Sequence, residues 1–110
     1  MINKLQELVD SEWAKKPDKR EAMLLTTIGM AGEVGEIADN VKRFAWYDVP
    51  LDMDNLLEES GDVLHYLMAC LSLQGFTLDD AATHQYLKYN KRFPNGWNEE
   101  EAVLKRDHKE

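Results

Sequence analysis

The chain has 110 residues, a length that suits one domain with a modest core. Hydrophobic residues are 44% and charged residues 31%, which reads as globular and argues against disorder. The formal net charge of −8 argues against a binder of duplex nucleic acid, which needs a basic face, but not against a small phosphorylated substrate.

No stretch approaches the ~20 apolar residues of a membrane span. The N-terminal MINKLQELVD is polar and acidic, without the apolar core of a secretory signal. The single cysteine, Cys70, lies in an apolar helical run and is expected as a buried reduced thiol. Together these features point to a cytoplasmic protein.

Pro17, Pro50 and Pro94, helped by Gly75 and Gly96, divide the chain into segments. Strand-like alternation is absent, so an all-α fold is expected. The first helix is predicted over 2–15, with Ile2, Leu5, Leu8 and Val9 at helical spacing. The second is predicted over 19–44, followed by a loop at 45–51. The third covers 53–73, with Asp52 as its N-cap. The fourth covers 78–92, with Thr77 as cap and Asp80 completing a capping-box-like pattern. A short tail helix is expected at 99–107. There are no repeats and no low-complexity tract.

On a helical wheel the second helix shows a narrow polar stripe of Thr26, Gly29, Glu33, Glu36 and Asn40. A much wider apolar arc includes Leu24, Ile28, Val34 and Val41. The third helix repeats the plan, with Asn55, Glu59, Asp62 and Tyr66 bordered by Leu57, Val63, Leu64 and Leu67. Such arcs imply helices covered on more than one side, which places the carboxylates at the edge of a core. Gly29, Gly32 and Gly35 recur every third residue, and Gly61 lies between Glu59 and Asp62. Each costs a helix interior roughly 1 kcal/mol relative to alanine. They are expected to let backbones approach closely around the site.

The chemistry points to the acids. Glu33 and Glu36, and Glu59 and Asp62, form two pairs each one helical turn apart. Four carboxylates on consecutive helices repel when the helices pack face to face. A divalent cation is the simplest partner that holds them together, because Mg²⁺ and Mn²⁺ prefer oxygen ligands.

The segments GMAGEVGEIADNVKR and LLEESGDVLHYL resemble the two signature helices of the MazG-like, all-α nucleoside triphosphate pyrophosphohydrolases. That superfamily carries a Glu-x-x-Glu motif followed by Glu-x-x-Asp. A third element, a helix with spaced Asn, Lys and Arg and then an aromatic, a proline and a glycine, is matched in QYLKYNKRFPNGW by Lys88, Arg92, Phe93, Pro94 and Gly96. Gln85 stands where relatives have the asparagine. Some relatives have a lysine one turn before the third carboxylate, where this chain has Asn55. The resemblance covers about 20–98, within a single domain of 1–110 whose C-terminal tail is 99–110.

The resemblance implies a four-helix MazG-like bundle assembled as a homo-oligomer, with a dimer of dimers expected. It implies cleavage of nucleoside triphosphates to monophosphate and pyrophosphate, with Mg²⁺, or Mn²⁺ as substitute, held by Glu33, Glu36, Glu59 and Asp62. Glu36 is the preferred proton acceptor. Lys88 and Arg92, one turn apart, would clamp phosphates. Tyr66 faces the same way as Asp62, and Trp13 and Trp46 are candidates for stacking on the base. His65 lies away from the acidic stripe and reads as structural or surface.

Two other classes draw on the same acids. A di-iron carboxylate protein needs a carboxylate-x-x-His pair on two helices, and only Asp62-x-x-His65 exists. A non-catalytic nucleotide-binding interaction module explains the apolar arcs but not the four acids with the Lys88/Arg92 pair. A sister enzyme, phosphoribosyl-ATP pyrophosphohydrolase, shares the chemistry, although the loop pattern looks more MazG-like.

Overall fold

The structure is a computed structural model that describes residues 1–104. Five helices follow one another: α1 (Ile2–Trp13), α2 (Lys19–Tyr47), α3 (Met53–Ser72), α4 (Leu78–Arg92) and the short α5 (Glu99–Leu104). No strand occurs among the described residues, so the fold is all-α as expected. The end of the predicted tail helix, beyond Leu104, lies outside them. No described helix is long and apolar enough to cross a membrane. The chain forms two compact units, one ending at Thr77 and the other starting at Leu78.

The helix ends follow from local chemistry. Asp18 is the N-cap of α2, and its side chain accepts from the Glu21 amide at 3.1 Å. Asp52 does the same for α3 through the Asn55 amide at 3.0 Å. At its C-terminus α1 tightens into short turns, with Lys15 N–H donating to the Glu12 carbonyl and Lys16 N–H to that of Trp13, just before Pro17.

Helix α2 runs to Tyr47, three residues past the predicted 44, so Trp46 is helical and the connection to α3 shortens. Asp48 stops it by adopting φ 52°, in the left-handed region. Its N–H and that of Val49 then both reach the Arg43 carbonyl, and Pro50 prevents continuation. The pattern of apolar residues alone gave no sign of this extra turn.

In the first unit α3 packs against both α2 and α1. Gln6, Val9 and Trp13 of α1, Ala22 and Thr26 of α2, and Glu59, Met68 and Ala69 of α3 are its buried residues. The Thr26 hydroxyl is satisfied locally, donating to the Met23 carbonyl at 2.7 Å. Helices α2 and α3 run antiparallel. Gln74, just past the end of α3, reaches the Met23 sulfur near the start of α2, while Asn40 near the end of α2 bonds to Asp52 at the start of α3. Cys70 is free and half-buried, less enclosed than expected.

Only one of the four helix glycines meets a close neighbour. A Cβ on Gly29 would lie 2.6 Å from Tyr66 Cζ and 2.8 Å from both Tyr66 Cε atoms. At Gly32, Gly35 and Gly61 an added Cβ would meet nothing within 4 Å. The expected close approach of backbones therefore does not occur at these four glycines; at Gly29 the Tyr66 ring occupies the space that a side chain would take.

In the second unit α4 packs against α5. Phe93 is buried there, with ring centroids 4.9 Å from Tyr89 and 6.2 Å from Trp97.

Candidate functional site

Antiparallel packing turns the two sequence motifs into one constellation. Glu33 from α2 and Glu59 and Asp62 from α3 each present an oxygen, and these oxygens all lie within 4.8 Å of one another. Glu33 is half-buried and Asp62 keeps access to solvent. Glu59 is only 8% exposed, and its Oε2 is buried without a hydrogen-bond partner.

That arrangement is costly for the bare protein. Two carboxylates about 5 Å apart repel by roughly 3 kcal/mol at an effective dielectric constant of about 20. The ion pairs among the described residues, Lys15–Glu12 and Lys42–Asp39, do not touch the cluster. Neighbouring oxygens on one octahedral Mg²⁺, bound at about 2.0–2.1 Å, stand about 3 Å apart and opposite ones about 4.2 Å, so oxygens that already lie within 4.8 Å reach one ion by side-chain adjustment. An unpartnered buried carboxylate oxygen beside two more hard oxygen donors fits a divalent cation of the Mg²⁺ or Mn²⁺ type.

Glu36 is not among the acids that meet. It is exposed, and with Asp39, Asn40, Arg43, Asp52 and Asn55 it lines a polar groove of about 180 Å³. The spacing put Glu36 on the same stripe as Glu33. At this point of α2 the α3 acids come to Glu33 instead.

The aromatic candidates separate. Trp13 is 9% exposed, and its Nε1–H donates to His65 Nε2 at 3.1 Å. Its ring also meets His65 and Tyr66 edge to face, with centroids 6.1 and 6.4 Å away. Tyr66 lies over Gly29, one turn beyond Asp62. His65 is thus an acceptor in the α1–α3 contact, which agrees with its structural reading. No spacing rule pairs residues 13 and 65. Trp46, by contrast, is 75% exposed in the last turn of α2. Lys88 and Arg92 are both half-buried on α4 in the second unit.

Trp13→Phe should cost about 2 kcal/mol of stability, because it deletes one hydrogen bond and puts a single ring where a fused pair fills a buried site. Urea unfolding measures the loss. A raised KM with unchanged stability would instead assign Trp13 to substrate.

An all-helical unit with three converging acids on antiparallel helices has a donor set that could hold a metal ion. The MazG nucleotide pyrophosphohydrolase domain matches residues 21–97, and the chain belongs to that family. Neither the curated proteins nor the solved structures returned a match.

Proposed function

We propose that this protein hydrolyses nucleoside or deoxynucleoside triphosphates at the α–β phosphoanhydride, releasing pyrophosphate and the monophosphate, in the service of nucleotide-pool cleansing. The observation that carries this reading is the buried, unpartnered Glu59 oxygen facing Glu33 and Asp62 in a member of the MazG family. The family match runs through both compact units, which supports a single functional domain over 1–110.

In this reading Glu33, Glu59 and Asp62 hold Mg²⁺, with Mn²⁺ as a substitute. When bound, the ion supplies Lewis acidity toward phosphate oxygens and acidifies water. Glu36, one turn after Glu33 and outside the acidic cluster, is a ligand to the same centre only if α2 or the substrate draws it in. Left unengaged, its carboxylate accepts the proton of the attacking water. Lys88 and Arg92, one turn apart, neutralise phosphate charge, Arg92 with a planar fork suited to two oxygens. Trp46 offers an open aromatic face to the base, and Tyr66 and Trp13 form a second aromatic wall.

A homo-oligomer, taken as a tetramer of two dimers, is part of the proposal. Ile28 is 62% exposed, Leu24 58%, Val34 50% and Leu57 74%, and these lie on the apolar arcs of α2 and α3. A patch of this kind marks an association surface. Sedimentation showing a stable monomer at micromolar concentration would remove this part.

The deciding experiment incubates the protein with a panel of ribo- and deoxyribonucleoside triphosphates and Mg²⁺ and identifies the products. Monophosphate with pyrophosphate is expected. Diphosphate with inorganic phosphate, or no turnover of any nucleotide, would overturn the reading.

A further inference from the structure

Asn40 makes two hydrogen bonds to the main chain of Asp52. Its Nδ2 donates to the Asp52 carbonyl at 2.9 Å, and the Asp52 N–H donates to its Oδ1 at 3.1 Å. Asp52 is the first fixed point of α3: its carbonyl also accepts from the Leu56 amide at 3.0 Å, and its side chain caps Asn55. An uncharged side chain that offers a donor and an acceptor at one reach is an asparagine or a glutamine, and the shorter asparagine loses less freedom when fixed. The contact therefore works like a rung between the end of α2 and the beginning of α3.

The rung is equidistant from the acids on both helices. Glu33 precedes Asn40 by the same number of residues as Glu59 follows Asp52 (40 − 33 = 59 − 52 = 7). Seven residues are two helical turns, about 10.5 Å of rise. In antiparallel helices this equality sets Glu33 against Glu59. A slip of α3 by one residue would rotate Glu59 by about 100° and shift it by about 1.5 Å. Oxygens that meet within 4.8 Å do not survive such a change. Packing within one chain fixes the register weakly at this end, because Val41, Phe44, Met53 and Leu57 do not pack into its own core.

We infer that Asn40 is a positioning residue: by gripping the main chain of Asp52 it sets the register of α3 against α2, and so the closure of Glu33, Glu59 and Asp62 on a divalent cation. This rests on the reading of those acids as a metal site.

The test titrates the full chain with Mn²⁺, following the free ion by electron paramagnetic resonance, with thermal unfolding alongside. Asn40→Ala should weaken Mn²⁺ binding about tenfold, as loss of an outer positioning contact does at metal sites. Asp52→Ala is the control. It removes the α3 cap side chain but keeps both main-chain atoms that Asn40 grips, so it should lower the unfolding temperature. Its Mn²⁺ affinity should stay within about twofold, since its charge lies about a Debye length from the acids. The positioning role is overturned if Asn40→Ala binds Mn²⁺ as the parent does, or if Asp52→Ala weakens binding equally. If the parent protein binds no Mn²⁺, the metal reading falls and this inference with it. Should Asn40→Ala not fold, Asn40→Asp serves: it keeps the acceptor and loses the donor. Its added charge alone would tighten a cation, so weaker binding supports the role and tighter binding overturns it.

Discussion

Glu59→Gln is expected to reduce Mg²⁺-dependent pyrophosphate release on the order of 10³-fold while making the metal-free protein more stable. The two effects have one source. Glu59 is 8% exposed, its Oε2 has no partner, and two further acids stand within 4.8 Å. Replacing the charge by an amide removes the repulsion and provides a donor for Glu33 or Asp62. With solvent screening at the Asp62 side, a gain of about 1 kcal/mol is expected. The same change removes a ligand from a centre whose electrostatic contribution is several kcal/mol, which corresponds to the stated loss of rate. Added Mg²⁺ should raise the unfolding temperature of the parent and leave the variant nearly unmoved. A folded variant with near-normal turnover would refute the metal site. A variant that is less stable without metal would show that the carboxylate is not strained in the bare protein.

Gly29→Ala should change sign with its background. In an ordinary helix interior the substitution stabilises by about 1 kcal/mol. Here the new methyl would meet the Tyr66 ring at 2.6–2.8 Å. The ring cannot simply swing aside, because Trp13 and His65 abut it with centroids 6.4 and 5.2 Å away. Overpacking of this kind costs about 1–3 kcal/mol, which cancels or outweighs that gain and leaves a net loss of up to about 2 kcal/mol. In a Tyr66→Ala background the obstacle is gone and the same Gly29→Ala should stabilise. A double-mutant cycle by urea unfolding reads the coupling directly. Independent, additive effects would mean that the ring yields freely. The contact also lies close to the chemistry: Gly29 is one turn before Glu33, and Tyr66 one turn after Asp62. Loss of the ring's seat is therefore expected to reduce turnover along with stability.

Much of the fold was legible because its signals are local. Pro17 before α2, the Asp52 cap before α3 and the Thr77/Asp80 pattern before α4 placed the starts of these helices to the residue. The carboxylate spacing picked out Glu33, Glu36, Glu59 and Asp62, of which Glu33, Glu59 and Asp62 meet. What stayed hidden depends on how one helix meets another. Glu33 and Glu36 are equivalent on a helical wheel, yet only Glu33 joins the α3 acids in the described cluster. The glycines look alike in sequence, but only Gly29 faces a ring. The Trp13–His65 bond spans 52 positions, and no periodicity encodes it. Asn40 was visible as a member of the polar stripe, but its partner is main chain, which carries no residue identity to recognise.

The acids that meet come from both sides of a bend: Glu33 from α2, Glu59 and Asp62 from α3. An ion seated there would act as a crosslink across the hairpin. Neither helix alone supplies the full set of ligands, so a chain still being synthesised has no complete site until α3 has folded back. Ion capture then becomes a late event, and chelators would act on hairpin closure rather than on helix formation.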